Sequence, residues 1–301
     1  MPKTRPLIAF AFLVPNITGF LVFTSLPVVA ALVLSLFRWD LIGAPDFVGL
    51  QNFRDLLGWH ADDSGLRWND PGFWQYLGNT LFLMLAIPAN IAASLFLAIV
   101  LKQKLRGRTF FRTIFYLPTV CAGVGLLLLW VYLLEPGYGP INNALAVVGI
   151  DGPKWLKSYH WAKPAIMLMT LWATMGGTAM ILYLAGLQGI PAELYEAAEI
   201  DGASTWARFR HVTWPMLAPT TFFIFVTSVI AGFQGGFDAA YIMTRGGPDG
   251  ATTTLSYYIY NHAFHFSNMG YAAAIAVVLF VIVLIVTLLV WRFGGRKVEY
   301  V

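Results

Sequence analysis

Residues 271–291 read YAAAIAVVLFVIVLIVTLLVW, a stretch with no Asp, Glu, Lys or Arg. A helix rises about 1.5 Å per residue, so about 20 such residues cross the ~30 Å hydrocarbon core of a bilayer. Five further charge-free windows precede it, at 8–37, 71–101, 113–134, 164–192 and 211–237. Trimmed to their apolar cores, the windows predict six transmembrane helices at about 11–36, 77–100, 114–134, 165–187, 216–237 and 271–291. The fold class expected is an all-α membrane protein, with residues 1–301 forming a single transmembrane domain.

Composition agrees. The chain is 58% hydrophobic and 11% charged, against roughly 45–50% and 25% in soluble domains. That excludes most cytosolic enzymes, nucleic-acid binders and disordered proteins. The single cysteine, Cys121, excludes an intrachain disulfide or a cysteine metal framework. Lys3 and Arg5 would suit the start of a signal peptide. The apolar part of such a peptide runs only about 7–15 residues, whereas this window is charge-free for 30, so a retained first helix is expected. Pro15 and Pro27 predict a kink or break in it, tolerable within a bundle. The fourth and fifth spans are interrupted by Thr174, Gly176 and Gly177, and by Gln234, Gly235 and Gly236.

Charge orients the bundle. The N-terminus, the 102–112 loop, the 188–215 loop and the C-terminus hold 12 of the 19 basic residues. These are Lys3, Arg5, Lys102, Lys104, Arg106, Arg108, Arg112, Arg208, Arg210, Arg292, Arg296 and Lys297. The other side holds 10 of the 15 acids. The excess of Lys and Arg on the inner side predicts that both termini are cytoplasmic. Trp39, Trp59, Trp68 and Trp74 in the outer 38–76 loop suit the headgroup layer.

The loop between spans four and five carries more information. Pro191 suits a first helical turn, and Glu193, Glu196 and Glu199 follow where the helix dipole favours acids. Asp201-Gly202 reads as a break, Ser204 or Thr205 as the next cap, and Pro215 as the end of a second short helix. Glu196-Ala197-Ala198, with Asp201-Gly202-Ala203 and then Phe209 and Pro215, resembles the EAA loop of bacterial ABC importer permeases. Other stretches are similar to the carbohydrate-importer branch of that family, the maltose, lactose and sn-glycerol-3-phosphate type. They are Arg108-x-x-Phe111-Arg112-Thr113-x-Phe115-x-Leu117-Pro118, Gly186-Leu187-Gln188-x-Ile190-Pro191, Gly246-Gly247-Pro248 with Thr252–Leu255, and Gly270-Tyr271-Ala272-Ala273-Ala274.

The resemblance implies a permease subunit of a binding-protein-dependent importer, multi-pass in the bacterial cytoplasmic (inner) membrane. It implies as partners a second related permease, two ATP-binding subunits and an extracytoplasmic solute-binding protein, with lipid around the bundle and no nucleic acid. Loop 189–215 would be the cytoplasmic coupling element, with Glu196, Ala197, Ala198, Asp201, Gly202 and Ala203 meeting an ATPase. No Gly-x-x-x-x-Gly-Lys-Ser/Thr phosphate loop is present. The expectation is therefore no catalytic residue, metal or cofactor on this chain, with ATP and Mg on the partner ATPase.

Family sugar contacts lie on helices equivalent to spans four and five, so Trp172, Thr174, Thr178, Phe233 and Gln234 are the candidate substrate-path residues. Helix packing is the competing role for each. Asp238 should face the outer mouth or the cavity, since a lipid-facing carboxylate is costly. His262 and His265 lack a trustworthy third metal ligand, and an outer segment touching the binding protein or the membrane surface is the preferred reading. The predicted spans hold no basic residue, which favours a neutral mono- or oligosaccharide. Glycerol phosphate or another polyol derivative is the alternative, with the partner permease supplying charge. A self-sufficient secondary transporter would want ionisable groups inside the spans, and a membrane-embedded enzyme would want clustered His, Asp or Glu.

Overall fold

The structure, a computed structural model, describes residues 6–62, 65–103, 106–121 and 123–294. Lys3, Arg5, Lys104, Arg296 and Lys297, which entered the orientation argument, lie outside the described residues. Phe10–Leu34, Pro71–Lys102, Ala218–Thr244 and Met269–Gly294 are each long and apolar enough to cross a membrane. Two broken pairs qualify together, Arg108–Val120 with Gly123–Leu133 and Tyr159–Thr174 with Thr178–Gln188, giving up to six spans. They are numbered one to six below in chain order.

Several helices begin earlier than the apolar cores suggested. The second starts at Pro71, the third at Arg108 and the fourth at Tyr159. A membrane helix continues into the headgroup layer, where aromatic rings and lysine stems are tolerated. Lys163 is thereby placed inside a helix, one turn before Ile166, and not in a loop.

Prolines are handled the same way twice. Residues Leu21–Ser25 form a wider turn, in which the Leu26 amide reaches back five residues to the Leu21 carbonyl, and Pro27 follows. Residues Phe209–Thr213 form the same turn, with the Trp214 amide on the Phe209 carbonyl, and Pro215 follows. Proline lacks an N–H and its ring clashes with the carbonyl four residues back, and the wider turn relieves that clash. Pro215 therefore does not end the second short helix as expected, and the chain runs helically from Thr205 to Met216.

The chain forms two compact units, residues up to Trp74 with 258–281, and 75–257 with the residues from Ile282 onward. In the first, the long 38–76 connection folds into two antiparallel ribbons and a helix, Gln51–Leu57. Trp59 lies opposite Trp68 in the second ribbon, and Trp68 packs on Trp74 with ring centroids 4.6 Å apart. These ribbons are the only strands among the described residues. Buried Asn52 donates to the Ser35 and Phe37 carbonyls at 2.8 and 2.9 Å. Asp70 accepts from the Tyr258 and Tyr271 hydroxyls at 2.6 and 2.5 Å.

Among the described residues, the second unit shows two apolar cores. Leu95, Ala98 and Leu101 of span two pack with Met180, Tyr183 and Leu187 of span four and Ile224 of span five. Leu127 and Trp130 of span three pack with Ala165, Ile166 and Met169 of span four, and with Ala239 and Met243. Span four thus takes part in both cores, one on each side of its break.

Candidate functional site

The break in span four falls at Met175-Gly176-Gly177. A β-carbon on Gly176 would collide with the Phe115 carbonyl, and one on Gly177 would stand 2.8 Å from the Thr119 hydroxyl. Only glycine lets the broken helix pack this closely on span three. The break exposes a backbone carbonyl and a threonine hydroxyl, and polar side chains from span two answer them. Ser94 Oγ donates to the Met175 carbonyl at 2.8 Å, and Asn90 Nδ2 donates to Thr174 Oγ1.

Beside the break opens a cavity of about 550 Å³. Its polar lining is Thr80, Asn90, Thr119, Thr170, Thr174 and Thr178, with Ser228, Asp238 and Thr254. Of the sequence candidates, Thr174 and Thr178 line it. Phe233 is 2% exposed and lies in the core. Trp172 stacks edge-on against Trp130 at 5.6 Å, away from the cavity wall. Gln234 is exposed, outside the lining, and its backbone carbonyl accepts from Ser256 Oγ at 2.9 Å. Asn90 and Ser228 were missed, although polar residues inside apolar spans are rare enough to have flagged them.

Asp238 follows Gly236, which sits at φ +81 where the fifth helix is interrupted and restarts. The carboxylate lies in the first turn of the restarted helix, which the helix dipole favours. Among the described lining residues there is no lysine or arginine. The lysine of span four is engaged elsewhere, with Lys163 Nζ donating to Asn79 Oδ1 at 3.0 Å and lying over the Phe82 and Tyr159 rings. Asn79 in turn donates to the Gly250 and Thr253 carbonyls at 2.8 and 3.0 Å, tying the Gly246-Gly247-Pro248 loop to span two.

The loop after span four is a second candidate site. Helix Ala192–Ile200 starts directly after Pro191, one residue later than expected. It ends with the Gly202 amide on Glu199 O and the Ala203 amide on Ala198 O, at 3.0 and 2.9 Å, with Gly202 at φ +75. That is a Schellman stop with glycine at the left-handed position. Ser204 then caps the next helix by accepting from the Ala207 amide at 3.2 Å. The turn closes on its own hydrogen bonds, and its outer face is open. Glu193, Glu196, Ala197, Asp201 and Gly202 are exposed, and Ala198 and Ala203 half-buried. Two apolar side chains also stand out, Ile200 at 86% exposure and Trp206 at 66%.

The family model described as "Binding-protein-dependent transport system inner membrane component" matches residues 90–297. The chain is 36% identical over 299 residues to the probable ABC transporter permease protein YesP of Bacillus subtilis, covering 98% of this chain and 92% of that one. It is 39% identical over 287 residues to the lactose transport system permease protein LacF of Rhizobium radiobacter, covering 92% and 90%. Among solved structures, it matches a chain of the bacterial alginate ABC transporter in complex with an alginate pentasaccharide-bound periplasmic protein. The TM-score is 0.84 at 25% identity, covering 98% of this chain and 96% of that one.

Proposed function

The chain belongs to the binding-protein-dependent transport system inner membrane components, and from that premise we propose how its two candidate sites divide the work of a sugar importer. It is a permease subunit of an ABC importer, a transport subunit whose ATPase is a separate protein. We read residues 1–301 as one transmembrane domain with both termini on the cytoplasmic side. A second permease completes the pathway, two ATP-binding subunits dock below, and a solute-binding protein delivers cargo from outside.

The 189–215 loop is the part that meets an ATPase. Its carboxylates and the exposed Ile200 offer a mixed surface of the kind that docks a partner. Its Schellman turn makes it stiff. Glu196 meets a basic group on the ATPase, and Gly202 holds the turn. ATP and Mg act on that partner. Movement of the loop enters spans four and five directly, because the loop joins them without a flexible stretch.

The cavity carries the substrate reading. Its polar lining is hydroxyls and the Asn90 amide with a single carboxylate, and no lysine or arginine among the described residues. A phosphate or uronate would meet Asp238 with no cation to offset it, whereas a neutral saccharide offers hydroxyls to every polar group there. We therefore assign a neutral mono- or oligosaccharide as cargo, unlike the acidic polysaccharide of the alginate transporter. Thr174 and Thr178 are the sequence candidates retained in the path.

The test is uptake into proteoliposomes holding the whole complex with its binding protein. ATP-dependent uptake of a neutral oligosaccharide is expected, abolished by Glu196→Lys while membrane insertion persists. Uptake without ATP, or a preference for anionic sugars, overturns the reading.

A further inference from the structure

Spans two and five and the start of the 205–216 helix enclose a second hollow, an apolar groove of about 1090 Å³. Phe96 and Ile99 of span two and Phe222 and Phe225 of span five form its walls. Its mouth is different in chemistry. Trp206, Trp214 and Arg210 stand there together. Trp206 and Trp214 are 66% and 46% exposed, and tryptophan belongs at the headgroup level. Arg210 is exposed and has no ion pair among the described residues. Its neighbour Arg208, by contrast, is paired with Glu199 at 3.5 Å.

We propose that this groove binds one phospholipid with an anionic headgroup. The acyl chains lie along the apolar walls, and the phosphate meets Arg210 between the two indole rings. Three observations converge on this occupant. The walls belong to helices that cross the bilayer, so lipid is the solvent that reaches them. Phe96 is 65% exposed on that surface. The unneutralised cation stands where the apolar surface ends, the arrangement by which basic pockets between membrane helices take acidic headgroups. Trp206, Arg210 and Trp214 belong to the 189–215 loop, so occupancy of the site would stiffen the entry into span five. It is separate from the 550 Å³ cavity and stands whatever the transported cargo.

The experiment is fluorescence quenching of the reconstituted complex in vesicles of phosphatidylcholine containing brominated phosphatidylglycerol or, in parallel, brominated phosphatidylcholine. The chain has 11 tryptophans, so the signal read is the difference between wild type and the Trp206→Phe, Trp214→Phe double variant. That component is expected to be quenched about fivefold more strongly by the anionic lipid, the preference for one basic residue near an acidic surface. Arg210→Gln should bring the ratio to about one, and Arg210→Lys should keep most of it. Equal quenching by both lipids, or a preference that survives Arg210→Gln, overturns the headgroup site. Quenching by neither means that protein covers the groove, and overturns it as well.

Discussion

The phenolic oxygen of Tyr195 and the hydroxyl of Thr213 lie 2.9 Å apart, a single hydrogen bond joining the helix Ala192–Ile200 to the helix that leads into span five. The Tyr195 ring also carries Lys102 Nζ 5.0 Å from its centre, so the same side chain touches the end of span two. Thr213 is buried, and losing its partner leaves a polar group unsatisfied. Tyr195→Phe keeps the ring and removes only that bond. It should cost about 1 kcal/mol of the tie and lower ATP-driven uptake about fivefold, with the ATPase still co-purifying. Wild-type uptake by the variant would show that displacement does not pass through this bond.

Gly202 separates two reasons for needing a glycine. No atom lies within 4 Å of where its β-carbon would be, so space is not limiting. Its φ of +75 is what matters. Gly202→Asn, which tolerates that angle, should be almost neutral, whereas Gly202→Val should cost at least ~1–2 kcal/mol and disorder the turn. Limited proteolysis in the 200–205 segment measures the difference. Equal resistance of the two variants would contradict the backbone explanation.

The opposite case is Gly176, where the obstacle is the Phe115 backbone. Backbone cannot rotate away as a side chain can, so Gly176→Ala should destabilise the bundle by ~1–3 kcal/mol through overpacking. Gly177→Ala faces the movable Thr119 side chain first and should cost less. The thermal midpoint of the detergent-solubilised protein ranks the two, and the reverse order would refute this packing.

The apolar spans and the turn at Gly202 were legible for different physical reasons. A chain in lipid must satisfy its backbone within each helix, so apolar length alone reveals a span. The turn was legible because a left-handed angle needs glycine and a cap needs an acceptor, and Ser204 supplies one. The face each helix turns to the cavity was not legible. Helices that are apolar on every side carry no stripe to orient them, so Phe233 looked as available as Thr174. Only the structure puts Phe233 in the core and brings Asn90 to the cavity wall. The proline turns were hidden as well, because whether a helix breaks or widens at Pro215 depends on a hydrogen-bond pattern and not on composition.

His262 predicts how the aromatic cluster of the first unit answers pH. Its Nδ1 is buried without a partner, and the Tyr258, Tyr271 and Phe266 rings surround it. Burial pushes its pKa below the ordinary value of 6.5, and the Asp70 carboxylate opposes this more weakly. The unfolded chain therefore binds a proton that the folded cluster resists. Stability is full above about pH 6.5 and falls as pH drops from there toward the lowered folded value. Protection factors across 258–271, with the intrinsic pH dependence of exchange divided out, should fall between pH 7.5 and 5.5, and His262→Phe should flatten that dependence. Protection that rises on acidification would reverse the sign and refute this coupling.

Asp238 offers the sharpest test of cargo. It lines the cavity at the restarted turn of span five, with no lysine or arginine on the described wall to balance it. Asp238→Asn keeps an acceptor for sugar hydroxyls, so uptake of a neutral oligosaccharide should persist with a modestly raised KM. Asp238→Lys reverses the local charge. Like-charge contact at a binding surface costs several kcal/mol when desolvated, and solvent at this exposed side chain reduces that. The ratio of neutral to uronate uptake should therefore fall about tenfold, mostly through KM, since the charge acts on binding before any ATP-driven step. A ratio unchanged in Asp238→Lys, with the complex intact and transporting, would place the cargo's path away from this cavity and return spans four and five to a packing role.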